Sequence, residues 1–179
     1  MAKIITRKTN IRLKDYSYFE NGYYFVTICS KNRENIFGEI HKKFVGTGLA
    51  PVRNKIKLSK LGQIINNQWN DIPNKYEDIE LDKYIIMPNH LHGILILNKR
   101  TGASPVPTIS KIIGVFKSKA SLEYLRFIKN RNLNFSGKIW QRSFYDHIIR
   151  NERSLDALRE YISNNPVNWE QDIEKLISA

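Results

Sequence analysis

The stretch His90-Leu91-His92-Gly93-Ile94-Leu95-Ile96-Leu97 constrains the fold more than any other part of the chain. On a strand, alternate residues project to opposite faces. His90, His92, Ile94 and Ile96 then share one face, and Leu91, Leu95 and Leu97 share the other. Beyond Gly93 both faces are apolar, as in a strand buried at the centre of a sheet. Gly93 removes a side chain next to the histidine pair and is expected to let a backbone or ligand approach there. The segment just before it, Ile79 to Met87, has the same strand-forming character, and Pro88-Asn89 interrupts the pair. The expected unit is a hairpin that turns around Met87–Asn89.

The remaining elements follow from pattern and punctuation. Tyr23 to Cys29 is β-branched and aromatic after Asn21-Gly22, and predicts a strand. Residues 38–57 hold Gly38, Gly46, Gly48 and Pro51, and are expected to form an irregular loop insertion. Ser59 can cap a helix through Trp69, which Pro73 is expected to stop. Ile109 to Phe127 predicts a long basic helix, Ile139 to Ile149 a strand, and Ser154 to Asn164 a short helix with Leu155, Leu158 and Ile162 on one face. The order β-α-β-β-α-β-α predicts an α+β fold in which helices cover an antiparallel sheet. At 179 residues, 1–179 is expected to be one domain that buries a core without disulfides. A weak echo, T-G-x-x-P-V at 47–52 and again at 101–106, falls in predicted loops and has no assigned role.

Charge narrows the function classes. Lys plus Arg number 29 against 17 Asp plus Glu, a net +12, with a pI near 9.8. Residues 31–60 carry eight cations against two acids, and residues 99–131 carry eight against one. Such a surplus suits a polyanionic partner, nucleic acid above all. No apolar run approaches the roughly 18 residues of a membrane span, and no secretory h-region precedes Leu13, so no membrane partner is expected. A single cysteine, Cys29, excludes an internal disulfide framework and fits a cytoplasmic chain.

Chemistry concentrates around the paired histidines. His90 and His92 on one strand face form a bidentate platform for a divalent metal, or else two half-buried structural histidines. A metal needs a third ligand. On the 154–164 helix, Tyr161 and Asn165 are one turn apart and lie at the rim of the apolar stripe, not fully buried in it. That placement suits a nucleophile and a ligand, and equally a half-buried Tyr and an Asn that closes the helix before Pro166.

Three blocks occur in order: Met87-Pro88-Asn89-His90-Leu91-His92-Gly93, then Ile139-Trp140-Gln141-Arg142-Ser143-Phe144-Tyr145-Asp146-His147-Ile148-Ile149-Arg150, then Tyr161-Ile162-Ser163-Asn164-Asn165-Pro166-Val167. Together they resemble the REP-associated tyrosine transposases, single-tyrosine members of the HUH transposases, over roughly residues 20–170. The resemblance implies a ferredoxin-like or RRM-like antiparallel sheet covered by helices. It also implies that Tyr161 is the nucleophile and that His90, His92 and Asn165 bind Mg²⁺ or Mn²⁺. The activity it implies is cleavage and rejoining of single-stranded DNA beside hairpins through a 5′-phosphotyrosine. The absence of a P-loop agrees with chemistry that needs no nucleotide cofactor.

Candidate phosphate contacts are Lys111, Lys117, Lys119 and Arg126 on the long helix, and Arg142 and Arg150 near the site. His147 is a candidate to orient a ligand or a phosphate. Tyr145 is the rival nucleophile, and Trp140 either stacks on an unpaired base or fills core. The alternative function is a non-catalytic nucleic-acid-binding protein of the same fold. The chain is expected in the cytoplasm with the nucleoid, as a monomer or homodimer.

Overall fold

The strand at residues 90–97 is the second of four in an antiparallel sheet, and seven of its eight residues are buried. The computed structural model describes residues 21–42, 54–98, 107–133 and 138–169. In chain order these form β1 (Gly22–Cys29), β2 (Gly38–Lys42), β3 (Asn54–Leu58), α1 (Lys60–Asn70), α2 (Ile72–Lys75), β4 (Ile79–Ile86), β5 (His90–Leu97), α3 (Ile109–Asn130), β6 (Tyr145–Ile149) and α4 (Glu152–Asn164). The sheet order is β4-β5-β1-β6 with every neighbour antiparallel. With the β2–β3 pair set aside, that is the strand order of a ferredoxin-like α+β fold, as the family resemblance implies.

The two faces of the sheet are covered differently. Tyr24, Val26, Ile28, Leu91 and Leu95 pack against α1 and α3 through Leu61, Ile65, Trp69, Ile112 and Phe116. Phe25, Ile94 and Ile149 face the other way, onto Leu155 and Ile162 of α4. The capping signals work as predicted at Ser59, whose side chain accepts from the Gly62 N–H. Asn151 caps α4 in the same way through the Ser154 N–H, so that helix starts two residues before its predicted start.

Four expectations need correction. Residues 38–57 are not irregular at their ends, because β2 and β3 pair as an antiparallel hairpin. The Lys-Ile-Lys-Leu alternation of β3 decides the matter, and Gly38 lets the Lys57 carbonyl approach to 2.7 Å of where a Cβ would stand. Pro73 does not stop α1, which ends at Asn70; it lies in the first turn of α2, where a proline costs no hydrogen bond. The strand expected over 139–149 forms only from Tyr145. Before it, the carbonyls of Gln141 and Arg142 accept from the Lys117 ammonium at 2.7 and 3.3 Å, and Trp140 keeps a single bridge to Ser30. Finally, Gly93 opens no space beside the histidines. It faces the α1 side, and a Cβ there would stand 2.4 Å from Trp69 Cζ2. Both T-G-x-x-P-V segments lie outside the described residues.

Gly93→Ala is therefore expected to destabilise the protein by about 1–3 kcal/mol through overpacking against the indole. Urea denaturation checks this, and a second change, Trp69→Phe, should return part of the loss.

Candidate active site

The β1–β5 register sets His92 opposite Thr27 and His90 opposite Cys29, with both imidazoles on the α4 face. His90 is 1% exposed and His92 7%. Their rings lie 4.4 Å apart at 66°. Phe25, two residues before Thr27, stacks on His92 at 5.3 Å. Desolvation dominates the electrostatics. Burial pulls His90 down to about 4, with the Arg33 charge adding to it, and holds His92 well below the usual histidine range, with His90 adding. Both rings are neutral at neutral pH.

Hydrogen bonds orient each ring. The Asn89 amide nitrogen donates to the Arg33 carbonyl at 3.1 Å, so its oxygen is left to accept from His90 Nδ1–H at 2.7 Å. That places the lone pair on His90 Nε2, which is buried and has no hydrogen-bond partner. His92 Nδ1 pairs with the Thr27 hydroxyl at 2.8 Å, and His92 Nε2 with the Tyr161 hydroxyl at 3.3 Å.

Helix α4 delivers Tyr161. Leu155 and Ile162 bury against the sheet, and Arg159 forks onto Asp82 of β4, with Nη2 and Nε 2.7 and 3.0 Å from Oδ2. Those contacts fix the rotation of the helix, and Tyr161 emerges at its rim, 40% exposed, as predicted. Its ring centre is 5.3 Å from that of His92. Asn165 differs from expectation and is 1% exposed. The reason lies beyond the helix. Asn54 of β3 donates to the Pro166 carbonyl at 2.8 Å, and Trp169 folds back to stack on His90 at 5.8 Å. The chain after α4 thus roofs the histidine pair.

The other candidates distribute unevenly. His147 faces the same side of the sheet, opposite Phe25, and is exposed. It does not orient the histidines, because Asn89, Thr27 and Tyr161 fill that role. Tyr145, opposite Thr27 in the same register, is 43% exposed rather than packed. Lys111, Lys119 and Arg126 are exposed on α3, in the layer across the sheet from the histidines. Lys117 is spent on the Gln141 and Arg142 carbonyls, and burial lowers its pKa. Trp140 packs on Phe37 and Phe116, and its indole N–H donates to the Lys117 carbonyl. Arg142 and Arg150 are exposed on either side of β6. Sequence reasoning missed Thr27, Asn89 and Trp169. Asn89, beside a candidate ligand, was the one with a readable signal.

A four-stranded antiparallel sheet that sets a tyrosine on one helix against paired imidazoles of its central strand defines a particular class of α+β protein. Residues 17–165 match the family model described as "Transposase IS200 like", and the chain belongs to that family of transposases. A Haemophilus influenzae protein of uncharacterised function is 35% identical over 180 residues, covering 94% of this chain and 93% of that one. A second protein from that organism, assigned as a REP-associated tyrosine transposase, is 32% identical over 82 residues, 46% of each chain. Among solved structures, a REP-associated tyrosine transposase bound to a REP hairpin aligns with a TM-score of 0.50 at 17% identity, covering 88% of this chain and 74% of that chain. The likeness to REP-associated tyrosine transposases agrees with the resemblance carried by the sequence blocks. Among the described residues, no helix is long and apolar enough to cross a membrane.

Because His90 is buried neutral, stability should fall as pH drops from about 6.5, where the unfolded histidine begins to bind a proton, towards about 4, where the folded one does. The loss attributable to His90 is roughly 3 kcal/mol over that window. Metal-free urea titrations between pH 7 and 4 should show it, and His90→Gln should flatten the slope.

Proposed function

We propose that the chain cuts and rejoins single-stranded DNA beside a hairpin, with Tyr161 as nucleophile and a divalent ion bound by His90, His92 and Asn165. The observation that carries this reading is the 3.3 Å contact between the Tyr161 hydroxyl and His92 Nε2. A partly exposed phenol stands against a buried pair of neutral imidazoles. DNA can reach the first, and the second suits a cation.

The donor set supports an ion. His90 presents a buried, unpartnered Nε2 whose lone pair is fixed by Asn89. Both imidazoles are neutral, as ligation requires. Among the described residues no third His, Cys, Asp or Glu joins them. The resemblance to REP-associated tyrosine transposases supplies the remaining donor, the amide oxygen of Asn165, which is buried one turn beyond Tyr161; the set suits Mg²⁺ or Mn²⁺ once phosphate oxygens complete it. When bound, such an ion supplies positive charge to the scissile phosphate.

The chain's own groups do the rest. Tyr161 Oη forms a bond to phosphorus while the bond to the 3′ oxygen breaks; the phenol loses its proton and the freed 3′ oxygen gains one. A phenol with a pKa near 10 is a weak nucleophile, so placement supplies much of the advantage. The Arg159–Asp82 fork and the buried face of α4 hold that placement. The bond energy is kept in the phosphotyrosine, so a 3′ hydroxyl can reverse the step. Thr27 and Asn89 keep the rings aimed.

Incubation with Mn²⁺ and a hairpin oligonucleotide bearing a single-stranded flank is expected to give a covalent protein–DNA adduct on denaturing gels. Tyr161→Phe should abolish the adduct, Tyr145→Phe should retain it, and EDTA should prevent it. Tight binding without an adduct under several metals and flank sequences would point instead to a non-catalytic binding protein.

A further inference from the structure

A second site lies beside the histidines, on the turn that follows β1. There an open cavity of about 720 Å³ is lined by Lys31, Arg33, Lys138 and Arg142, together with Trp140 and Ser121. None of its lining residues is acidic. Its volume is that of a ligand cleft. The two basic stretches of the sequence meet here: Lys31 and Arg33 come from the first, and the second contributes Ser121 and, just behind the wall, the Lys117 ammonium on the Gln141 and Arg142 carbonyls.

The walls are built rather than incidental. Lys31 N–H donates to the Ile139 carbonyl at 2.7 Å, and Gln141 N–H donates to the Cys29 carbonyl at 3.0 Å. The Trp140 indole donates to the Lys117 carbonyl and to Ser121. Asn32 and Arg33 both hold positive φ, 52° and 55°, a conformation that side chains other than glycine rarely adopt. Strain of that kind collects where a fold must aim a residue. What it aims is Arg33. Its Nη1 is buried with no hydrogen-bond partner, and its charge is felt at His90. Its carbonyl also receives the Asn89 amide that orients His90.

We infer that this cavity binds the phosphodiester backbone of an unpaired DNA segment, with Arg33 the contact nearest the histidines. The inference rests on the proposed reading that DNA is the substrate, and it specifies where the single strand runs. Guanidinium and ammonium groups on a lining that holds no acid suit phosphates, although Glu34 stands beside the rim, 3.4 Å from the Asn32 amide, and an unpartnered buried guanidinium nitrogen is satisfied by a phosphate oxygen. The strand would leave the Tyr161 side and follow the β1 turn to the edge of the sheet, where Ser121 of α3 forms part of the wall.

The test measures binding by fluorescence anisotropy in EDTA, so it does not depend on whether a phosphotyrosine ever forms. Two probes are compared: a bare DNA hairpin, and the same hairpin with a single-stranded flank of about ten nucleotides. Lys138→Gln/Arg142→Gln removes two exposed cations from the rim. Lys83→Gln/Lys129→Gln removes two exposed cations elsewhere. The rim variant is expected to weaken the flanked hairpin about tenfold and to reduce its log–log salt slope by about 1.4, leaving the bare hairpin unchanged. The other variant should change neither. Arg33→Gln should weaken the flanked probe alone. Equal losses from both double variants, equal losses on both probes, or wild type that gains nothing from the flank would each overturn the inference. An adduct that fails to form while the flank effect persists would instead count against the catalytic reading.

Discussion

Desolvation of β5 is the constraint on which the rest of the structure depends. The strand is sandwiched between β4 and β1 and covered on both faces, so its two histidines are largely withdrawn from water. Register makes this strict. A slip of one residue against β1 would turn both imidazoles towards Trp69 and α1, and would send Leu91 to the Tyr161 side. The apolar residues on both faces forbid that slip, because it would exchange two sets of side chains shaped for different layers. The chemistry of the site is thus secured by hydrophobic packing several residues away from it.

Neutral imidazoles in a basic protein follow from the same cause. With a net charge of +12, a solvated histidine would gain little from being charged beside further cations, and burial lowers the His90 pKa to about 4, so the ring is neutral near neutral pH. The layers divide the labour. Helices α1 and α3 hold the larger core and carry much of the exposed positive charge. Helix α4 covers the other face with a short apolar stripe and leaves its rim open.

Most of the fold was legible because its signals are local. The Pro88-Asn89 break, the Ser59 cap and the Leu155/Leu158/Ile162 stripe each act within a few residues. The misreadings came from distant partners. Gly93 pointed to a gap at the site, whereas the space is taken by Trp69, which no local pattern connects to it. The 139–144 segment carries strand-forming residues, but Lys117 claims its carbonyls from another helix. At the site, His90, His92 and Tyr161 were readable from spacing and motif. Thr27 was not, because its role depends on being opposite His92 across a ladder 65 positions away. The burial of Asn165 was hidden too, since it comes from residues that follow the helix and from Asn54.

The roof formed by Pro166 and Trp169 has a temporal consequence. Thr27, His92 and Tyr161 are spread along the chain, with the last pair 69 positions apart. During synthesis the sheet's central strands emerge long before the helix that carries the phenol and the indole that closes over His90. The site therefore matures last, and a partly made or prematurely ended chain holds the imidazoles without their tyrosine. Under the proposed reading of Tyr161 as nucleophile, a fragment that ends before α4 would carry the imidazoles but no phenol to attack DNA.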